Sequence, residues 1–231
     1  MKEHIRVIEH GKLLVRENTL YFISRTGVRE KIEVEGLEAL WIGYDVELDT
    51  EVLKYLNDHG VIVHVLWFDR YVGVYVPLTV EKNVRRDDWI VLMQAKHYWD
   101  PRKRAYLAKQ IALGVTYNMR SLLLSYQRRG KKLDDIIEKI DRFYHMIKEK
   151  DSAKSVRGIE GRVWLEYYKA FNRILRKPFR LYRRVYHPPP DPINCLLSYI
   201  NSILYGYVLE AIITSGLSPS ISYLHEPKGK R

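Results

Sequence analysis

The sequence predicts a two-domain α+β protein, with a small β-rich N-terminal domain at residues 1–76 and an all-α C-terminal domain at residues 87–231. Two observations support this division. Short β-prone runs separated by turn-forming residues fill the first region, whereas apolar residues recur at helical spacing in the second. With 231 residues, of which 46% are apolar, the chain is long enough to bury a sizeable core. Residues 77–86 are the predicted linker.

The N-terminal region is predicted to form short strands joined by turns. The strand candidates cover residues 5–8, 13–15, 20–23, 28–34, 40–42, 61–68 and 71–76. One helix fits residues 51–59, where Thr50 can cap its N-terminus and Gly60 can end it. Pro77 ends the region.

Four long helices are predicted in the C-terminal region. They cover residues 100–129, 133–150, 153–177 and 191–215. The first and the last begin with an aspartate followed by proline, which supplies a capping side chain and then a residue suited to the first helical position. Gly130 and Gly216 are the expected helix stops.

Residues 193–213 are apolar and long enough to cross a membrane. However, Glu210 interrupts the run, and a charge near the middle of a bilayer costs about 3 kcal/mol. We therefore predict a buried helix of a soluble domain and no membrane contact. The single cysteine, Cys195, excludes an internal disulfide, and residues 1–4 lack the apolar stretch of a signal peptide. These features favour a cytoplasmic protein.

The basic excess of the chain lies entirely in its second part. Residues 1–76 contain 9 Lys and Arg against 13 Asp and Glu, whereas residues 77–231 contain 30 against 15. Such a basic region is typical of a protein that binds a polyanion, either nucleic acid or an acidic membrane surface. The alternative is a basic surface that serves solubility alone.

Glu160 is the first candidate for a functional side chain. It precedes Trp164 by one helical turn on the stripe formed by Trp164, Tyr167, Phe171 and Ile174, where packing favours an apolar residue. A buried carboxylate needs a counter-charge or a metal. Gly158 and Gly161 flank Glu160 and permit close approach of a ligand. The alternative is a buried salt bridge to Arg157 or to a neighbouring helix.

The basic residues around and after Glu160 are candidates for nucleic-acid binding, because guanidinium groups bind phosphates and the interleaved aromatic rings can stack on bases. The candidates are Arg157, Arg162, Arg173, Arg176, Lys177, Arg180, Arg183 and Arg184. The alternative is a solvated basic face with core aromatics.

His225, within the sequence Ser222-Tyr223-Leu224-His225-Glu226, is the second candidate for a site residue, although a solvated surface histidine fits the pattern as well. The sequence contains no HExxH, G-x-S-x-G, Walker or G-x-G-x-x-G motif. Enzyme classes that depend on those motifs therefore lose support.

Four blocks of the sequence resemble one family over essentially the whole chain. They are the β-rich start with its helix at residues 49–60 and the strand end Trp67-Phe68-Asp69; Arg157-Gly158-Ile159-Glu160-Gly161; the run from Asp191-Pro192-Ile193-Asn194 to Leu204-Tyr205-Gly206; and Gly216-Leu217-Ser218-Pro219 leading to Leu224-His225-Glu226. The family is the CRISPR-associated spacer-acquisition integrase, the metal-dependent DNA endonuclease of the adaptation complex.

The resemblance implies that Glu160, His225 and a downstream aspartate hold Mg²⁺ or Mn²⁺ and that a spacer 3′ end is joined to the CRISPR repeat by transesterification. It also implies a homodimer paired through N-terminal domains and a small ferredoxin-like partner subunit. The aspartate would follow His225 beyond Arg231, so the chain is expected to be incomplete at its C-terminus. We therefore expect residues 1–231 alone to show little cleavage.

Three hypotheses remain open from the sequence. The leading one is a metal-dependent DNA endonuclease and integrase. The second is a DNA-binding module that is catalytically impaired because the third ligand is lacking, although Glu226 could contribute a carboxylate. The third is a dimeric scaffold that recruits partners.

Overall fold

The computed structural model of the protein describes residues 3–7, 9–68, 70–77, 88–176, 178–186 and 188–226. Contacts between these residues divide the chain into two compact units. Unit 1 comprises Met1–Asp88 and Leu196–Leu217, and unit 2 comprises Trp89–Cys195 and Ser218–Arg231. A strand-rich N-terminal region followed by a helical region confirms the predicted two-domain α+β fold class. Of the predicted linker, only Pro77 lies among the described residues.

Unit 1 contains two four-stranded sheets. Its strands are β1 (Glu3–Val7), β2 (Gly11–Arg16), β3 (Thr19–Ser24), β4 (Arg29–Ile32), β5 (Leu37–Ile42), β6 (Val46–Glu47), β7 (Ile62–Trp67) and β8 (Arg70–Tyr75). The first sheet has the order β1-β5-β7-β8, in which only β7 and β8 are antiparallel neighbours. The second has the order β4-β3-β2-β6, in which β2 and β6 are parallel.

Helix α1 (Thr50–Asp58) and the inner faces of both sheets enclose one hydrophobic core. Leu13, Leu40, Leu56 and Val63 are buried there. The cap of α1 is Asp49 rather than the expected Thr50, because the Asp49 carboxylate accepts the backbone N–H of Val52 at 3.1 Å.

The first sheet also buries its second face. Along β5, Leu40 joins the core of the two sheets, whereas Ala39 and Trp41 belong to a separate cluster that includes Ile203 and Tyr207 of α6 (Pro192–Thr214). This alternation follows from the two-residue period of a strand. At Gly206 the helix approaches the sheet so closely that a Cβ atom would collide with the Trp41 ring.

The position of α6 differs from the prediction in two respects. Residues 87–231 were expected to form one helical domain, but Leu196–Leu217 belong to unit 1 because the apolar outer face of its sheet requires a cover. The helix was also expected to be buried. Only 17% of its most apolar 18-residue window is buried, because the sheet covers one side of the helix. By length and composition alone, α6 could cross a membrane.

Unit 2 is built from helices α2 (Asp88–Trp99), α3 (Pro101–Arg128), α4 (Asp134–Lys148) and α5 (Ala153–Ile174), with the first turn of α6. Asp100 caps α3 through the N–H groups of Arg102 and Lys103, as the aspartate–proline pair predicts. Two hydrophobic clusters join α3, α4 and α5. Small residues such as Ala108 and Ala112 allow α3 to approach its neighbours closely.

Candidate metal and nucleic-acid site

Helix α5 presents Glu160 at the border of the unit 2 core. Ile159 and Val163 are buried in the cluster with α3 and α4, whereas Glu160 is half-buried. The stripe that begins at Trp164, which was predicted to face the core, is also only half-buried. The buried residues of α5 lie one position earlier in the sequence than predicted, as Val163 does relative to Trp164. Small and aliphatic side chains form the buried face because they permit close approach between helices, while large rings fill its edge.

The partner of Glu160 is a tryptophan one turn along the same helix. Trp164 Nε1 donates a hydrogen bond to Glu160 Oε1 at 2.6 Å. Among the described residues, Glu160 forms no ion pair with Arg157 or with a neighbouring helix, so the salt-bridge alternative is not what the structure contains. The carboxylate therefore retains acceptor capacity for another ligand.

The surface of α5 beside Glu160 is open. Gly158 and Gly161 are exposed, and apart from its chain neighbours and the backbone of α5 no described heavy atom lies within 4 Å of a Cβ atom built at either position. The expectation that these glycines leave space for a ligand agrees with this geometry.

His225 belongs to an irregular segment that contributes one side chain to the hydrophobic core of unit 2. Leu224 is buried in the cluster that contains Val156, Ile159 and Val163, with Trp164 packed against it. His225 follows directly and is exposed, and its backbone N–H donates to Ser222 Oγ at 3.2 Å. Glu160 and His225, which are 65 positions apart in the sequence, thus each directly follow a buried residue of the same hydrophobic cluster of unit 2.

Both carboxylate oxygens of Glu226 are occupied by donors from the protein. Arg104 Nη2 donates to Oε1 at 2.8 Å, and the Tyr98 hydroxyl donates to Oε2 at 3.2 Å. The hydrogen bond from Arg104 is the main reason that the pKa of Glu226 is lowered, and the charge of Arg157 contributes. Glu226 is therefore a partner of Arg104 rather than an open ligand.

The residues predicted to bind nucleic acid include two kinds of arginine: those with partners inside the protein and those exposed to solvent. Arg173 binds both carboxylate oxygens of Asp135 and the carbonyl of Lys132, and Arg184 donates to Val185 O and Asn194 and stacks on Tyr186. The side chains of Arg173 and Arg184 are thus engaged in contacts within the protein. The prediction treated all the candidate residues alike as phosphate-binding, whereas the structure distinguishes these two from the others. Arg162 is exposed, with its guanidinium 5.1 Å from the Phe143 ring centroid. Arg157, Arg176, Arg180 and Arg183 are exposed, and Lys177 lies outside the described residues.

A second cluster of polar side chains lies in unit 1 and was not predicted from the sequence. His4, Glu38 and Glu210 each place a ligand atom within 4.8 Å of the others. His4 Nδ1 accepts a hydrogen bond from Trp41 Nε1 at 3.3 Å, and its Nε2 lies 3.8 Å from Glu38 Oε2. Glu210 Oε2 is already bound to His64 Nε2 at 2.8 Å, so one of the three possible ligands has a partner within the protein.

The sequence does contain a signal for the position of Glu210, which also binds His64. His64 lies within the apolar strand β7, and Glu210 is the only charged residue of the apolar helix α6. A polar side chain in each of two apolar elements indicates that the elements pack against each other, because each buried polar group needs a partner.

Fold and site together define a two-domain α+β protein whose helical unit carries a carboxylate and a histidine beside a basic surface. The family described as CRISPR associated protein Cas1 matches residues 5–231. The chain belongs to this Cas1 family.

Curated relatives agree with this assignment. The CRISPR-associated endonuclease Cas1 3 of Thermodesulfovibrio yellowstonii is 33% identical over 225 residues, which are 97% of this chain and 67% of the relative. The CRISPR-associated endonuclease Cas1 of Pyrococcus horikoshii is 31% identical over 232 residues, with 100% of this chain and 68% of the relative covered. The chain spans about two thirds of the length of these relatives.

Solved structures share the fold. A CAS1 protein from Thermotoga maritima has a TM-score of 0.83 at 28% identity, with 99% of this chain and 71% of that chain covered. A casposase bound to its integration product has a TM-score of 0.76 at 20% identity, with 98% and 66% covered. At that identity, the casposase supports the fold alone.

Proposed function

We propose that the protein is a metal-dependent DNA endonuclease and integrase that inserts new spacers into a CRISPR array. Membership of the Cas1 family supports this proposal, as does the basic excess of residues 77–231. The observation that carries it is that Leu224, next to His225, is buried in the same hydrophobic cluster as Ile159, next to Glu160. This shared burial supports a site formed by Glu160 and His225.

Glu160 and His225 would hold Mg²⁺ or Mn²⁺. The donor set of one carboxylate and one imidazole suits Mn²⁺ and, with added water or phosphate oxygens, Mg²⁺. Glu160 fits this role because its partner Trp164 donates a single hydrogen bond, which leaves the carboxylate further lone pairs. When bound, such an ion polarises a phosphodiester and activates the attacking 3′-hydroxyl or water.

The exposed arginines would position the DNA backbone. Arg157 lies three residues before Glu160, and Arg162 lies two residues after it. Arg176, Arg180 and Arg183 extend the basic surface beyond α5, and Lys177 remains a sequence-based candidate. Such contacts fix DNA in place without reading its sequence.

Assembly and location complete the proposal. We expect a homodimer formed through residues 1–76, a small ferredoxin-like adaptation subunit as partner, and a cytoplasmic protein. Exposed aromatic rings of unit 1 support a protein contact in this region, since Tyr44 and Phe68 stack with centroids 4.0 Å apart and Trp67 lies beside them.

A DNA-binding module without cleavage activity is the second candidate function. It is favoured by one observation. Among the described residues, no cluster of three or more potential metal ligands includes Glu160 or His225. Hard cations prefer several oxygen ligands, so two side chains alone would bind such an ion weakly.

Plasmid nicking by the full-length protein with Mn²⁺ or Mg²⁺ tests the proposal. Glu160→Ala and His225→Ala should each abolish nicking while the melting temperature stays close to that of the unmodified protein. Glu149→Ala and His145→Ala, which change exposed residues of the same unit, should nick normally. Nicking that survives in Glu160→Ala refutes the site, whereas tight DNA binding without nicking in the unmodified protein supports the second candidate.

A further inference from the structure

The segment that carries His225 lacks regular secondary structure. Residues 218–226 contain neither a helix nor a strand. Backbone groups of such a segment have no ladder partners, so side chains from other elements must satisfy them if the segment is to hold one conformation. Two helices of unit 2 supply these side chains.

Gln94 on α2 fixes the start of the segment. Its side chain is buried, with 6% exposed, and both its amide nitrogen and its amide oxygen form hydrogen bonds with the segment. Nε2 donates to Ser218 O at 3.0 Å and to Ile221 O at 3.2 Å, while Oε1 accepts the Ser218 N–H at 2.8 Å. This arrangement also fixes the orientation of the amide, since both carbonyls require donors.

Arg104 on α3 fixes the end of the segment and brackets His225. Its Nε donates to Tyr223 O at 3.1 Å, two residues before the histidine, and its Nη2 donates to Glu226 Oε1, one residue after it. The guanidinium stacks 4.2 Å from the ring centroid of Tyr98, whose hydroxyl binds the other oxygen of Glu226. The Arg104 side chain is 15% exposed, so these contacts are partly shielded from water.

The burial of Leu224 completes the arrangement. Its side chain is buried in the hydrophobic cluster that includes Ile159 of α5, while Arg104 holds Tyr223 before it and Glu226 two residues after it. The segment around His225 is therefore fixed to α3 by hydrogen bonds and to the core of unit 2 by Leu224. A metal ligand must be held close to its productive position, because small displacements weaken coordination.

We propose that Gln94, Tyr98 and Arg104 are positioning residues that hold His225 for its role beside Glu160. These three side chains and Glu226 together form a clamp. Within the clamp, Glu226 is the anchor that binds Arg104 and Tyr98, and it is not a metal ligand. The role assigned to His225 rests on the proposed function. The holding of the segment rests only on the contacts within unit 2.

Two measurements on the full-length protein test the clamp. Hydrogen–deuterium exchange reports the order of residues 218–226. Broadening of the His225 ring signals by added Mn²⁺, in protein labelled at histidine, reports metal binding at that side chain. The variants are Arg104→Ala, Arg104→Lys and Glu226→Gln, with Arg102→Ala as the matched control, because Arg102 is an exposed arginine on the same helical turn.

Arg104→Ala should speed exchange across residues 218–226 by about tenfold or more, with the peptides of α4 and α5 unchanged. The Mn²⁺ concentration that broadens the His225 signals should rise about tenfold or more, the usual effect of removing a residue that orients a ligand. Arg104→Lys should restore the order in part, since lysine keeps the charge but cannot make both bonds in a fixed fork. Arg102→Ala should change neither measurement.

Three outcomes would each contradict a different part of the proposal. If Arg104→Ala exchanges as slowly as Arg102→Ala, the clamp does not exist. If Glu226→Gln weakens Mn²⁺ binding while the segment stays ordered, Glu226 is a ligand and the anchor role is wrong. If Mn²⁺ leaves His225 unaffected in the unmodified protein, the metal assignment of the proposed function fails, and the exchange data still decide whether Arg104 holds the segment.

Discussion

His64 on β7 and Glu210 on α6 form a buried hydrogen bond of 2.8 Å between Nε2 and Oε2, although 146 positions separate them in the chain. The Tyr71 hydroxyl lies 2.9 Å from His64 Nδ1, and the Trp41 ring stacks on the imidazole at 4.1 Å. The Glu210 carboxylate can only accept, so His64 donates to it from Nε2. Burial raises the pKa of Tyr71, so its hydroxyl keeps its proton and can donate to Nδ1. This bond fastens α6 to the sheet.

Loss of the Glu210 carboxylate should destabilise unit 1. Glu210→Ala leaves the fully buried His64 without its acceptor and should lower the free energy of unfolding by about 3 kcal/mol. Glu210→Gln keeps an acceptor and should cost less. Urea unfolding measures both, with the exposed Glu51→Ala on α1 as the control. Equal stability of Glu210→Ala and the unmodified protein would contradict the fastening role.

The contribution of Asp135 and Arg173 to stability should depend on pH. The hydrogen bond from Arg173 lowers the pKa of Asp135 below its ordinary value near 3.8. A carboxyl group with a lowered pKa in the folded state stabilises the protein above its unfolded pKa, and this stabilisation disappears as the pH falls through the folded pKa. Arg173→Ala should therefore destabilise the protein at pH 7, and the difference should shrink in acid below that lowered pKa. Urea unfolding at several pH values measures it, and a constant difference would refute the linkage.

DNA affinity should depend on the exposed arginines more than on those with intramolecular partners. Charge reversal at Arg176, Arg180 and Arg183 should reduce the slope of log affinity against log salt by about 0.9 for each phosphate that the protein no longer neutralises. Reversal at Lys12, Arg16 and Arg25, which are exposed in unit 1, makes the same change in net charge and is the control. Fluorescence anisotropy with duplex DNA gives the slopes. If both triple variants bind DNA with equally reduced affinity, net charge alone explains binding.

The aromatic surface of unit 1 should contribute to dimer formation. Trp67 and Phe68 are 53% and 61% exposed. Phe68 has a φ of 52°, a conformation that aspartate tolerates better than phenylalanine, so Phe68→Asp should not strain the turn. We expect the unmodified protein to be a dimer at micromolar concentration and Phe68→Asp to be monomeric with a similar melting temperature. Leu165→Asp, at an exposed apolar position of unit 2, is the control. Light scattering decides, and a monomeric unmodified protein contradicts the expected assembly.

The sequence by itself determined the class of the fold and the positions of most elements. Asp100 followed by Pro101 marks the start of α3, and Gly130, with a φ of 86°, ends its last turn. Such caps and stops act through backbone groups a few residues away, so local sequence suffices to predict them. Glu160 and His225 also emerged from the sequence as candidate site residues.

Only the tertiary structure decided which elements and side chains meet. The association of α6 with the first sheet depends on Gly206 and Glu210 meeting Trp41 and His64, which are far away in sequence. The contacts of Arg104 with the His225 segment bridge more than a hundred positions in the same way. Periodicity identifies the apolar face of a helix but not the surface that covers it, because burial and hydrogen bonding between distant residues are settled only when the whole chain packs.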